Sequence, residues 1–285
     1  MTARGGLDPE GAVELAIISS RLSEDRFPMI EERSVRTPFG DVTVIITAPA
    51  GREVAYIARY GRDLTLPSHR INYRANLWAL RRLGVRQIIS QNAIGSTRPD
   101  LPPGTIAVPH DFLDLTRQRP LTMFDADDVW VRVDMTEPFC PNLRSALLAA
   151  GRAANVPLVE RAVFACLEGP RFETPAEIRM VAQLGGDLVG TPLVPEVVLA
   201  RELQMCFASL SPVINYAAGL SPAVVHTGEE SMVDFYYGRE GVHDRVEQVL
   251  LAALRHLPHD GTCLCPGALE GAVQGELPAW WKELP

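Results

Sequence analysis

The chain has 285 residues, 47% of them hydrophobic and 22% charged, with a formal net charge of -8 at pH 7. That length and apolar content suffice for one substantial core, so a single domain over 1–285 is expected, with 1–12 and 266–285 as peripheral pieces. The negative balance argues against non-specific binding to nucleic acid, which depends on Lys and Arg neutralising phosphates, and no stretch approaches the run of about 18 apolar residues that a membrane span needs. The N-terminus lacks the apolar core of a secretory signal. Five cysteines, an odd number spread along the chain, do not form the framework of a small secreted domain. Both features point to a cytoplasmic protein. Cys263 and Cys265 form a close pair, but a lone C-x-C lacks the second pair of a structural zinc site, so no metal is expected.

In chain order, apolar runs rich in β-branched residues at 15–18, 42–47, 54–58, 85–89, 105–108, 162–166, 187–189 and 206–216 read as strands. Helical patterns fall between or after them at 73–83, 143–153, 175–184, 194–203 and 229–256. The second opens after Pro141-Asn142, as helix starts favour. Strands alternating with helices predict an α/β fold, a mixed and mostly parallel central sheet flanked by helices. Such sheets bind ligands beyond the carboxyl ends of their strands, so the residues following each run are the functional candidates.

Four such segments carry chemistry. Gly169-Pro170-Arg171-Phe172-Glu173-Thr174 lies between a strand and a helix. Its glycine permits a tight turn, and Phe172 beside Glu173 offers an aromatic face next to a carboxylate, which suits a purine. Glu173 also reads as a charge at the start of the following helix. The small residues from Ser90 to Ser96, including Asn92 and Ala93, form either an anion-binding nest or an ordinary turn. Asn215 presents an amide that both donates and accepts, and it equally suits a turn before Gly219. Arg59, in Arg59-Tyr60-Gly61-Arg62, has a planar fork that matches an oxyanion, whereas Arg62 reads as a solvated surface charge.

Together these residues resemble the trimeric purine nucleoside phosphorylases, and within them the methylthioadenosine and methylthioinosine phosphorylases. The resemblance runs from about Ile17 to Cys265 and is strongest over PSHRINYRANLWAL at 67–80, EGPRFET at 168–174 and VPEVVLARE at 194–202. It implies a nucleoside phosphorylase-like domain, a homotrimer or dimer of trimers, and phosphorolysis of a purine nucleoside with inorganic phosphate as co-substrate and no metal or organic cofactor. Phosphate attacks C1′ while the purine leaves through an oxocarbenium-like sugar, so the protein must position the anion and stabilise charge on the base. The resemblance assigns purine binding to Phe172, Glu173, Asn215 and Ala217, with Glu173 and Asn215 catalytic. A carboxylate facing N1–H, and an amide bonding O6 and N7, fit hypoxanthine or guanine. Adenine presents an acceptor at N1, and its specific relatives carry Ser and Asp at these two positions. Phosphate falls to Ser20, Arg21, Arg59, Tyr60, Asn92 and Ala93, and the sugar with its 5′ group to Thr191, Arg132, His226 and His69.

The anion site departs from the family pattern. Ser19-Ser20-Arg21-Leu22 replaces a glycine-rich run, Arg-His-Gly becomes Arg59-Tyr60-Gly61, and Thr191-Pro192 replaces a Met-Thr or Met-Ser pair. Arg132 and His226 predict a polar or anionic 5′ substituent. Three readings follow: a phosphorylase of an inosine-like or methylthioinosine-like 6-oxopurine nucleoside, a hydrolase or specialised enzyme acting on a 5′-modified nucleoside, and a catalytically silent nucleoside-binding paralogue.

Overall fold

The computed structural model describes residues 13–221, 236–237, 241–257 and 262–285. The strands are β1 Leu15–Ser19, β2 Met29–Val35, β3 Val42–Thr47, β4 Val54–Ala58, β5 Gln87–Gln91, β6 Ile94–Ser96, β7 Ile106–Ala107, β8 Asp111–Leu115, β9 Trp130–Val131, β10 Val163–Leu167, β11 Leu188–Gly190, β12 Cys206–Tyr216 and β13 Val273–Gln274. The helices are α1 Tyr73–Arg82, α2 Pro141–Ala153, α3 Pro175–Gln183, α4 Leu193–Glu202 and α5 Val242–Ala253. Eleven strands form one sheet in the order β2-β3-β4-β1-β5-β12-β6-β11-β10-β8, with β7 added on β12. The centre is parallel: β4 pairs β1, β1 pairs β5, and β12 pairs both β5 and β6. Antiparallel pairs lie at β2–β3, β3–β4, β6–β11 and β7–β12.

Strand alternation builds two cores. On β1, Ala16 and Ile18 enter one and Leu15 and Ile17 the other, as the period of two demands of a strand covered on both faces. Residues of α1 and α4 fill the first core, and those of α2 and α5 the second. The α/β architecture with helices on both sides is the one expected, and the main strands fall within about two residues of the apolar runs. The differences have physical reasons. β2 carries Glu31, Glu32 and Arg33 along an exposed sheet edge, where charge discourages further pairing, so it has no apolar pattern to read. β5 extends to Gln91 and β6 resumes at Ile94, so the segment read as a nest or turn is mostly sheet. The helix expected over 229–256 is α5 from Val242; residues 229–235 and 238–240 lie outside the described residues.

Residues 266–285 are docked instead of peripheral. β13 pairs antiparallel with β9, and Trp280 stacks on Phe124 with ring centroids 5.3 Å apart. Phe124 is held from below by α4, because Glu202 accepts hydrogen bonds from Thr122 Oγ1 (2.8 Å) and the Met123 amide (2.7 Å). Among the described residues no helix is long and apolar enough to cross a membrane.

Glu202 is 3% exposed, and burial pushes its carboxyl up to about 7 against the hydrogen bonds from Met123 and Thr122. Between the ordinary value of 4.5 and about 7 the folded chain keeps a proton that the unfolded chain releases. Stability therefore falls as pH rises through that window. Glu202→Gln removes this component: its melting temperature relative to wild type rises between pH 5 and pH 8. A difference that stays flat or shrinks over that range would contradict the assignment.

Candidate active site

Two adjoining cavities open beyond the carboxyl ends of the central strands. The larger, about 500 Å³, lies among Ser68, Gly95, Phe172, Glu173, Thr191 and Asn215. The smaller, about 250 Å³, lies among Ser20, Arg59, Gln91, Tyr236 and Tyr237. Tyr60, Leu64, Ala93 and Ile214 line both, so they form one cleft with two chemically different ends. Its placement is where open α/β sheets hold ligands.

At the larger end, Glu173 is free to face the cavity because other residues start α3. Thr174 Oγ1 accepts the Glu177 amide (3.2 Å), and the Glu177 carboxylate accepts the Thr174 amide (2.7 Å), closing a capping box. Arg171 grips both Glu177 oxygens at 2.7 and 2.8 Å. Burial raises the Glu173 carboxyl above the ordinary carboxylate range, aided by the nearby charge of Glu177 and opposed by its own amide and Arg171. Upstream, Glu168 accepts from the amides of Arg117 (2.6 Å) and Gln118 (3.0 Å) and from Arg119 Nε (3.0 Å). Arg119 also donates to Ser68 O at 3.0 Å, which fastens the loop to the segment before α1. Gly169, at φ +67, crosses so close to Ser68 that a Cβ would lie 2.9 Å from its Oγ.

Asn215 reaches the same cavity through a bulge. The β12–β6 register shifts between Val213 and Asn215, which places both Ile214 and Asn215 on the cleft although neighbours on a regular strand face opposite ways. Its Nδ2 donates to Tyr216 O at 2.8 Å, which orients the amide. Gly95 opposite makes room, since a Cβ there would come within 3.1 Å of Asn215 Nδ2. Ala217 lines the wall, and Phe172, 46% exposed, stands at the rim.

The smaller end sets a few hydrogen-bond donors, Ser20, Gln91, Tyr236 and Tyr237 among them, in a wall otherwise formed by Leu64, Ala93 and Ile214. Ser20 Oγ and the Tyr237 hydroxyl lie 2.8 Å apart. Burial pushes the hydroxyls of Tyr60 and Tyr237 up, so both keep their protons at neutral pH. Gln91 Nε2 and the Tyr236 hydroxyl are buried without hydrogen-bond partners among the described residues. Each such group costs about 1–3 kcal/mol, a cost that a bound anion would relieve. Gln91, Tyr236 and Tyr237 were not foreseen. Nothing in the sequence near Tyr236-Tyr237 marks that pair, and Gln91 falls within the segment from Ser90 to Ser96, which reads as either an anion-binding nest or a turn.

Several expected site residues sit differently. Arg59, expected as a cation for phosphate, is 2% exposed and lines the cleft with its charge already matched: Nε donates to Glu196 Oε1 (2.6 Å), Nη2 to Glu196 Oε2 (3.0 Å) and Ser90 Oγ (2.7 Å), and Nη1 to Gln91 O (2.9 Å). Asn92 is buried at 1% and absent from the cleft wall; its Nδ2 donates to Ser209 Oγ at 2.8 Å and its amide to Leu210 O at 3.1 Å, because it continues the sheet. Arg21 borders a separate cleft with Phe27 and Tyr56, its guanidinium 5.3 Å from the ring centre of Tyr237. Thr191 lines the larger cavity, beside the 169–173 loop. His69 does not; it lies in a neighbouring cleft of about 330 Å³ behind the 169–173 loop. Arg132 follows β9, with its guanidinium 4.2 Å from the centre of the Trp130 ring, away from the cavity walls. The polar 5′ substituent therefore loses Arg132 as support. His226 lies outside the described residues.

The sequence pattern of the phosphorylase superfamily matches residues 15–255. A 6-oxopurine nucleoside phosphorylase of Pyrococcus furiosus is 41% identical over 248 residues, covering 85% of this chain and 92% of that one. A probable S-methyl-5′-thioinosine phosphorylase of Methanothermobacter thermautotrophicus is 48% identical over 240 residues, covering 84% of this chain and 81% of its own. Among solved structures, a methylthioadenosine phosphorylase sourced from an antarctic soil metagenomic library superposes with a TM-score of 0.85 at 28% identity, covering 96% of this chain and 100% of that one. With a pattern match across most of its length and relatives at these identities, the chain belongs to the phosphorylase superfamily.

Proposed function

We propose that the protein is a purine nucleoside phosphorylase, a pentosyltransferase that splits an inosine-like or methylthioinosine-like 6-oxopurine nucleoside with inorganic phosphate. The products are hypoxanthine or guanine and the sugar 1-phosphate. The observation that carries this reading is the presence of Glu173 and Asn215 on one cavity, continuous with a second cavity whose wall includes the buried donors of Gln91 and Tyr236. The activities named for the Pyrococcus and Methanothermobacter relatives support the same substrate class.

In this reading the Glu173 carboxylate accepts N1–H, and Asn215 bonds O6 and N7, stabilising the purine as the bond from C1′ to its N9 breaks. Phe172 and Ala217 bound the base, and Thr191 faces the sugar. Phosphate sits among Ser20, Tyr60, Gln91, Ala93, Tyr236 and Tyr237, and one of its oxygens forms the new bond to C1′. Its charge is met by neutral hydroxyl and amide dipoles, with Arg59 held in place by Glu196 and Arg21 adding positive potential from beyond Tyr237. The reaction requires no organic cofactor. A homotrimer or dimer of trimers, in cytoplasmic purine salvage, completes the proposal. Exposed Leu121 (78%) and Trp130 (58%) support a surface that a second copy covers, and five free thiols support a reducing compartment.

Steady-state assays test the reaction. Inosine, guanosine and methylthioinosine are expected to release base only when phosphate is supplied, with kcat/KM for adenosine lower by about 100-fold or more. Base release that ignores phosphate would make the protein a hydrolase, and no release from any of these nucleosides would make it a silent binder. Either result defeats the proposal.

Glu173 sets a pH dependence. Its carboxyl is raised above the ordinary 4.5, so as pH falls through that raised value the group gains a proton and ceases to accept N1–H. The kcat/KM for inosine therefore drops on the acid side at a pH above 4.5. In Glu173→Gln that limb is absent and the plateau is lower by about 100-fold. A wild-type profile still flat at pH 4.5, or an unchanged limb in the variant, would show that Glu173 does not read the base.

A further inference from the structure

Four of the five thiols meet at one point, although they come from three distant parts of the chain. Cys140 directly precedes α2, Cys206 opens β12, and Cys263 and Cys265 lie on the segment after α5. The four Sγ atoms all lie within 4.8 Å of one another, with Cys206 and Cys263 3.4 Å apart. Cys140, Cys206 and Cys265 are buried, and Cys263 is half-buried. Cys166 stands apart, donating to Thr191 O at 3.2 Å beside the cleft.

We propose that Cys140, Cys206, Cys263 and Cys265 bind a single zinc ion as a closed tetrathiolate site. Tetrahedral zinc bound to sulfur at about 2.3 Å separates its ligands by about 3.8 Å, the scale on which these four sulfurs are spaced. Four sulfur donors in a tetrahedral set select zinc over magnesium or calcium, which take oxygen. The absence of a second C-x-C in sequence, which argued against a metal, is made good by the fold: Cys140 and Cys206 supply the missing pair.

Binding takes four protons from the thiols and leaves a net charge of -2 on the zinc and its ligands. The surroundings meet that charge. Cys140 caps α2, so the positive end of the helix faces its sulfur and the Leu143 amide bonds it. The Arg201 guanidinium stands near Cys265, fixed there by a 3.3 Å bond to Pro138 O and a shorter one to Glu137 O.

The ion would be structural. All four positions of a tetrahedral ion are taken by protein, which leaves none for water or substrate. Cys206 and Asn215 lie nine residues apart on one strand, about 30 Å at the usual strand rise. The zinc would staple 263–265 to the starts of α2 and β12, and so fix the segment that places β13 on β9 and Trp280 on Phe124.

Metal content of the full chain, purified with reductant and without added metal, tests this by mass spectrometry of the elements. The expected result is about one zinc per chain, retained by Cys166→Ser and lost from the Cys263→Ser, Cys265→Ser double variant. X-ray absorption at the zinc edge gives four sulfur neighbours, and stripping zinc with a thiol-binding mercurial lowers the melting temperature. If the double variant does not fold, the zinc count and absorption spectrum of the wild type still decide. Metal-free wild type, one equivalent of iron in place of zinc, or peptide mapping that finds these cysteines joined as disulfides would overturn the proposal.

Discussion

The buried ion pair between Arg59 and Glu196 is the constraint on which the cleft depends. Both side chains are about 1% exposed, and taking two charges out of water costs several kcal/mol per ion unless the geometry is nearly ideal. Here the pair is bidentate, and Ser90 bridges it by accepting from Arg59 and donating to Glu196 at 2.7 Å each. Further bonds to Ile18 O and Gln91 O bring β1 and β5 into the same knot. The ends of β1, β4 and β5 and the start of α4 are thereby locked together, and the cleft is the space left beyond them. The pair also consumes the formal positive charge that would otherwise face an anion. In the proposed reading neutral donors meet the anion instead, and two of them, Gln91 Nε2 and the Tyr236 hydroxyl, are buried with no partner among the described residues.

The base end follows the opposite logic. Glu173 and Asn215, the proposed specificity residues, are kept free by neighbours that meet the structural demands around them. Thr174, Glu177 and Arg171 complete the start of α3 and leave Glu173 for the cavity. The bulge before Asn215, with Gly95 across from it, turns an amide into the cleft that a regular strand would direct elsewhere. In the proposed reading this half-buried carboxylate, raised by desolvation, reads the protonation state of the base against it.

The fold, and the loop that carries Glu173, were legible because they rest on local signals. Apolar runs mark strands that are buried on both faces, and the loop from Gly169 to Thr174 announces a turn between strand and helix. The edge strands β2, β9 and β13 were not legible, since exposed or two-residue pairings need no apolar pattern. The fate of Arg59 was hidden for another reason: its partner lies 137 residues away on α4, a helix buried on nearly every side. The segment around Asn92 reads as a nest or a turn because a strand that breaks and resumes gives the same short run of small residues. The cysteine cluster shows the same limit, with Cys140 and Cys206 too far from Cys263 in sequence for any spacing rule to join them.

The most direct measurement of the central claim is a crystal structure of the protein with hypoxanthine and phosphate bound together. The account requires the base edge on Glu173 and Asn215, and the anion among Ser20, Tyr60, Gln91 and Tyr237, with Arg59 still paired to Glu196. A base bound outside that wall, or an anion seated elsewhere or held by an Arg59 that has left Glu196, would contradict it.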